Sequence, residues 1–278
     1  MTLNVGQIQD WVYDNYQAAY VIGTGILTLA AFAAMPEHLR NAKAFAGGYL
    51  AITALGALME PCVDVESSVY GQVLSRGTDA EMKIALTFDD GPNPVNTPHV
   101  LDVLKEEGVK ATFFCVGQQA LNYPKLVKRI FDEGHLVGSH TFSHRNLLGC
   151  TPEESYKEIA FGIMAVSSVL NAPVTYFRPP YGMRWPWTMQ QSEAMGQTAV
   201  LWSNCPRDWQ LPGADVIAGR VIKKAGPGHI VLLHDGGGDR LQTIYALPEI
   251  IRTLRARGFS FVRADELSPC RQLPVSRQ

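Results

Sequence analysis

Two aspartates stand side by side where an apolar run ends, in Ile84-Ala85-Leu86-Thr87-Phe88-Asp89-Asp90-Gly91-Pro92. Adjacent carboxylates repel, and burying either one unpaired is costly. A solvated turn would relieve the tension. So would a cation, or a division of labour in which one carboxylate binds an ion and the other moves a proton. The last two answers need partners, and the chain holds them. Ser139-His140-Thr141-Phe142-Ser143-His144 carries two histidines four apart, which share a face if the segment is helical and can grip one ion. Arg178, in Phe177-Arg178-Pro179-Pro180-Tyr181-Gly182, sits on a proline-stiffened loop where a guanidinium can clamp a carboxylate. Asp208 follows in Asn204-Cys205-Pro206-Arg207-Asp208-Trp209, and His234 leaves the run Leu232-Leu233 toward Gly236, Gly237 and Gly238. Each piece has a plain alternative: a chance histidine pair, an ordinary salt bridge, a permissive turn. Jointly they are the parts of metal-assisted hydrolysis. One acid and two histidines bind Zn²⁺ or a similar ion, a second acid takes a proton from water, and a histidine opposite protonates the leaving group.

Such parts must be brought together by the elements that carry them. From Lys83 onward short apolar runs alternate with helical patterns. Strands are expected over 83–88, 111–116, 135–139, 174–177, 198–202, 229–233 and 259–262. Helices are expected over 97–107, 123–133, 152–170, 214–225 and 244–257. The clearest start is Thr151-Pro152-Glu153-Glu154, with a hydroxyl cap, a proline in the first turn and acids at the positive helix end. Seven alternating units imply parallel pairing in a closed or nearly closed α/β barrel. Chemistry in such barrels collects at the C-terminal ends of strands, which is where Asp89, Asp90, His140, His144, Arg178, Asp208 and His234 fall.

The 278 residues suffice for one large domain and a small extra segment. A net charge of −2 gives no positive field for nucleic acid. Five cysteines, Cys62, Cys115, Cys150, Cys205 and Cys270, show no zinc-ribbon spacing. Cys115 reads as a core residue, and a Cys62–Cys270 bridge is conceivable in an oxidising compartment. The N-terminal region differs from the rest. Ala18–Met35 is an uncharged run of 18 residues and Ala44–Met59 one of 16, against the ~20 that a spanning helix needs. Arg40 and Lys43 lie between them, so the expectation is a membrane hairpin over 1–60 with its connector in the cytoplasm. The alternative is a pair of apolar helices packed on the soluble domain or lying in the interface. A linker over 61–81, a catalytic domain over 82–266 and a tail over 267–278 complete the organisation.

The ordered motifs resemble the polysaccharide deacetylase family, the NodB-homology domain of carbohydrate esterase family 4, over about residues 82–266. Thr87-Phe88-Asp89-Asp90-Gly91-Pro92, His140-Thr141-Phe142-Ser143-His144 and Arg178-Pro179-Pro180-Tyr181 stand intact, followed by Asp208-Trp209 and Leu233-His234. Cys205 departs from the aspartate that many relatives carry three residues before the Asp-Trp pair, so that wall of the pocket differs. The resemblance implies an irregular (β/α)7 barrel, the distorted TIM barrel of deacetylases. It implies Asp89 as general base, and Asp90, His140 and His144 as metal ligands. Zn²⁺ is the first choice, with Co²⁺, Ni²⁺ and Mn²⁺ as alternatives. The Tyr181 N–H would stabilise the oxyanion, and His234 would be the acid. Arg178 would hold Asp89, and Asp208 would tune Arg178 or the nearby histidine. Tyr181, Trp209 and Leu232 are the implied substrate contacts.

The function expected is therefore removal of N-acetyl groups from an amino-sugar polymer such as peptidoglycan, a chitin-like oligomer or exopolysaccharide. The enzyme would face the extracytoplasmic side of a plasma or inner membrane, with no protein partner inferred. Two alternatives stay open: a deacylase or deformylase of a lipid-linked amino sugar, and a non-catalytic carbohydrate-binding protein. Trp185 and Trp187 suit sugar stacking or loop anchoring. His99 and His229 read as structural or surface residues, and His135 as a residue supporting the site from behind or a satisfied core histidine.

Overall fold

The computed structural model describes residues 42–78 and 80–267, and the chain divides after Cys62 into two compact units. The second apolar run lies in helix α1, Ala42–Val63. Among the described residues no helix is long and apolar enough to cross a membrane. In α1 the glycines 47, 48 and 56, the many alanines and Thr53 dilute the apolar character that lipid demands. The first run, 18–35, the tail beyond 267 and Cys270 lie outside the described residues, and with them the rest of the hairpin and the conceivable bridge.

The second unit is built on a curled sheet of eight parallel strands: β1 Val73–Leu74, β2 Lys83–Asp89, β3 Thr112–Cys115, β4 Leu136–Ser139, β5 Tyr176–Phe177, β6 Thr198–Val200, β7 Ile230–His234 and β8 Ser260–Val262. Their order is β1-β6-β5-β4-β3-β2-β7, with β8 pairing the N-terminal half of β2. Beyond β6 the chain reaches β7 through a parallel bridge between Asn204 and Val231, with Leu232 N–H donating to the Asn204 carbonyl at 2.9 Å. All seven expected strands are present. The stretch 61–81, expected as a linker, adds β1 beside β6.

Strand alternation sorts the side chains. Ile84, Leu86 and Phe88 of β2 join the outer core with Phe113, Val231 and Leu233. Ala85 joins the inner core with Phe114, Ile230 and Leu232. With a period of two, Thr87 and Asp89 follow Ala85 inward. Register finishes the placement. Asp89 lies opposite Phe114 on one side and His234 on the other, Cys115 opposite Ser139, and Ser139 opposite Phe177. The residues that come next, Asp90, His140 and Arg178, therefore leave the sheet at one rim.

Helices α2 Asn96–Glu106, α3 Gly117–Asn122, α4 Pro124–Asp132, α5 Pro152–Leu170, α6 Pro186–Ala194, α7 Ala214–Lys224 and α8 Leu241–Ala256 flank the sheet. The start of α5 is the expected capping box: Thr151 Oγ1 accepts from Glu154 N–H at 3.3 Å while Glu154 Oε2 accepts from Thr151 N–H at 2.8 Å. Two helices were not foreseen. α3 is a short turn-and-a-half before Pro124, and α6, Pro-Trp-Thr-Met-Gln-Gln-Ser-Glu-Ala, has no apolar stripe for periodicity to detect.

Candidate active site

Asp89 is the last residue of β2 and only 3% exposed. Asp90 adopts a left-handed backbone, φ 71°, which an aspartate tolerates better than most side chains. The turn separates the two carboxylates. Asp89 Oδ1 accepts from Arg178 Nη1 at 2.7 Å, whereas Asp90 Oδ1 faces His144 Nε2 at 2.9 Å and His140 Nε2 at 3.5 Å. Glycines 236 and 237 press against this turn: a Cβ on Gly236 would strike the Asp90 carbonyl, and one on Gly237 its Oδ2. Close packing at this turn leaves no room for a side chain at either position.

The two histidines do not ride on a helix. Residues 140–145 form a loop in which Thr141 and His144 both have positive φ, 63° and 62°, and that loop, not helical spacing, turns both rings to one side. The ligand atoms of Asp90, His140 and His144 lie within 4.8 Å of one another. His140 Nδ1–H donates to the Arg178 carbonyl at 2.7 Å, which leaves its Nε2 lone pair directed at Asp90. Asp90 Oδ1 is buried yet accepts no well-aligned hydrogen bond, although two imidazole nitrogens are near it. Converging lone pairs around an orphaned oxygen fit a divalent cation. One carboxylate and two imidazoles suit Zn²⁺ and its first-row neighbours and leave positions for water. Burial opposes the Asp90 charge, but the neighbouring His140 and His144 imidazoles and the charge of His234 prevail and hold its carboxyl well below the usual range. The carboxylate is the form a cation needs.

Opposite stands His234. Its Nδ1–H donates to Asp208 Oδ1 at 2.7 Å, its backbone N–H to Asp208 Oδ2 at 2.9 Å, and Thr243 Oγ1 donates to the same Oδ2 at 2.9 Å. Asp208 is fully buried, and its carboxylate bonds go to His234 and Thr243 rather than to Arg178. Burial alone would lower the His234 pKa. The Asp208 charge and hydrogen bond, with Asp90 and Asp89 beyond, raise it to about 9. The imidazolium is thus available near neutral pH as a proton donor.

Arg178 fills the centre of the sheet with no exposed surface. Besides Asp89 it donates to Thr87 Oγ1 and to the carbonyls of Val200 and Leu201, at 2.8–2.9 Å, and its guanidinium lies 4.2 Å from the Phe114 ring centre. A buried guanidinium needs such partners. Tyr181, on the loop that follows, has φ 60° and a side chain 56% exposed, with its ring 4.9 Å from that of His144. Trp209 stands edge-on to His234, ring centres 5.2 Å apart. Leu232 lies two residues before His234 on the same strand face, buried in the inner core.

Other candidates fall away from this rim. His135, at the opposite end of the sheet, accepts from Ala111 N–H at 3.0 Å. Its pKa is lowered to about 4, chiefly by burial and then by the charge of Lys110, so it is a neutral core residue. Trp185 and Trp187 stack on each other, and the Trp185 indole donates to the Leu148 carbonyl, which makes Trp185 a loop anchor. Cys115 is buried on the outer face, and Cys205 packs against the inner core. Asp235 was not anticipated. Its carboxylate accepts from Thr97 Oγ1 at 2.5 Å beneath Gly91, and its N–H donates to the Asp89 carbonyl at 3.1 Å. Its position directly after His234 in the sequence is the signal that could have flagged it.

An α/β sheet that gathers a carboxylate and two imidazoles at its C-terminal rim, with a second carboxylate and an acid histidine beside them, has the build of a metal-assisted hydrolase. The family model described as polysaccharide deacetylase matches residues 76–200. A peptidoglycan-N-acetylglucosamine deacetylase of Bacillus cereus is 41% identical over 189 residues, covering 67% of this chain and 88% of that protein. A chitooligosaccharide deacetylase of Bradyrhizobium is 42% identical, covering 68% and 90%. This chain belongs to the polysaccharide deacetylase family. Among solved structures, the Bc1960 peptidoglycan N-acetylglucosamine deacetylase superposes with a TM-score of 0.69 at 34% identity, covering 70% of this chain and 92% of that one. BA3943 of Bacillus anthracis, described as a CE4 family pseudoenzyme, reaches 0.67 at 26% identity, covering 73% and 70%. Fold alone therefore does not bring activity, and the side chains at the rim must decide.

Proposed function

We propose that this chain removes N-acetyl groups from N-acetylglucosamine-type residues of a polysaccharide. One observation carries the proposal: Asp89, Asp90, His140, His144 and His234 converge at one rim, each with the partner its role requires. A divalent ion held by Asp90, His140 and His144 would polarise the acetamide carbonyl and make its water more acidic. Asp89, fixed by Arg178, takes the proton from the attacking water. The Tyr181 backbone N–H donates to the oxyanion. His234, kept protonated by Asp208, gives its proton to the nitrogen as the C–N bond breaks, leaving acetate and a free amine. Both proton transfers matter because an amide is a weak electrophile with a poor leaving group.

Trp209 and Tyr181, both partly exposed beside the histidines, offer apolar faces to a sugar ring, while Leu232, 3% exposed, backs His234 from the same strand face. Polymers of this kind lie outside the cytoplasm, and we place the catalytic domain there. The test is acetate release from chitin oligomers, peptidoglycan and exopolysaccharide fragments with Zn²⁺ or Co²⁺ added. Release from at least one, absent in Asp89→Asn, is expected. Sugar binding with no acetate from any of them would overturn the proposal.

A further inference from the structure

Arg184, like Arg178, is almost completely buried, with 1% of its surface exposed. Its Nη1 donates to the Gly182 carbonyl at 2.9 Å, and its Nη2 to the carbonyls of Asp64 and Ser67, each at 2.7 Å. The guanidinium thus ties two stretches of main chain together. One stretch, 179–183, carries Tyr181 in a left-handed conformation, φ 60°. That conformation is strained for a non-glycine residue and persists only where its surroundings hold it. The bonds within the loop, Gly182 N–H to Pro179 and Met183 N–H to Pro180 at 3.0 and 3.1 Å, shape the turn but tether it to nothing else.

The other stretch, 64–67, lies upstream of the residues that match the family model. It runs into β1, whose Leu74 carbonyl accepts from Leu201 N–H at 3.0 Å. Val65 packs against the inner core and so close to Gly182 that a Cβ there would meet both its Cγ1 and the Trp202 ring. The Tyr181 loop is therefore gripped from outside by a segment that the family match does not include.

We infer that Arg184 is a positioning residue for deacetylation: with segment 64–74 it holds the Tyr181 peptide where its N–H meets the developing oxyanion. The inference rests on the role proposed above for that N–H. Arg184 touches no reacting atom. Its loss should leave metal binding alone, because Asp90, His140 and His144 come from other loops, and should slow the chemical step rather than weaken ground-state binding.

The test uses the full chain as Arg184→Met and Arg184→Lys, measuring acetate release, bound zinc by elemental analysis, and fold by circular dichroism. In Arg184→Met, kcat should fall roughly 10- to 100-fold with KM within about twofold and zinc unchanged. Arg184→Lys, whose ammonium can still reach two of the carbonyls, should recover part of the loss. Should Arg184→Met fail to fold, Arg184→Lys decides: kcat lowered at least about threefold with unchanged zinc supports the inference, and wild-type kcat overturns it. Wild-type kcat in both variants overturns it too, as does a parallel fall of kcat and zinc, which is mere structural support. A wild-type protein that releases no acetate defeats the proposed function and this inference with it, whereas an active wild type with unaffected variants defeats the inference alone.

Discussion

Two like charges at the end of β2 are tolerable because each carboxylate meets a different neighbour: Arg178 for Asp89, two imidazoles for Asp90. Asp89→Asn keeps the shape and the hydrogen-bond acceptor but cannot accept a proton. It should abolish turnover while elemental analysis still finds one metal per chain, and near-normal activity would disprove the assigned base. His140→Ala or His144→Ala should each lose the metal, and stoichiometric metal in both would remove them as ligands. The acid side has its own signature. His234 titrates near 9 in the folded protein against an ordinary 6.5, with Asp208 supplying the shift against burial. Because the folded value is raised, the stabilisation from this pair is fully present below about 6.5 and is lost as pH climbs through about 9. Asp208→Asn removes the charge, so the alkaline limb of kcat/KM should move down toward the ordinary histidine value. An unchanged limb would mean that another group sets it.

Elements do the aiming. The period-two alternation of β2 turns Asp89 inward, and parallel register lines up the ends of β2, β3, β4, β5 and β7 so that their loops share a rim. Loop packing then sets Asp90. Gly236→Ala places a methyl group against the Asp90 carbonyl and should weaken zinc affinity about 10- to 100-fold, the range for residues that support ligands; chelator competition measures it. Away from the site, Thr151→Ala breaks the capping box of α5 and should cost about 1 kcal/mol in urea unfolding with kcat unchanged. The strands, the capping box and the rim were legible in the sequence because apolar periodicity and cap chemistry are local. Helix α6, strand β1 and the left-handed histidine loop were not, since they are held by contacts with distant residues.

For the whole molecule, ion binding couples to stability. Zinc at a hundredfold excess over its Kd should stabilise the folded chain by about 2.7 kcal/mol, which raises Tm by roughly 5–10 °C for a domain of this size. His140→Ala should erase that shift, and a zinc-induced rise that survives the substitution would place the ion elsewhere. The curled sheet makes the coupling global, because Asp90 and the loop that carries both His140 and His144 lie far apart in the chain and an ion on all three ligands closes them together.

The residue types, their order and the strand ends they follow were determined by the sequence itself, because a buried strand is written in consecutive apolar residues and a reactive side chain at its end needs no further context. Only the folded chain decided which carboxylate meets which cation, that Asp208 serves His234, and that Arg184 fastens an upstream segment to the Tyr181 loop. Those contacts join residues up to about 120 positions apart, and their geometry is set by register and close packing, which no local pattern records.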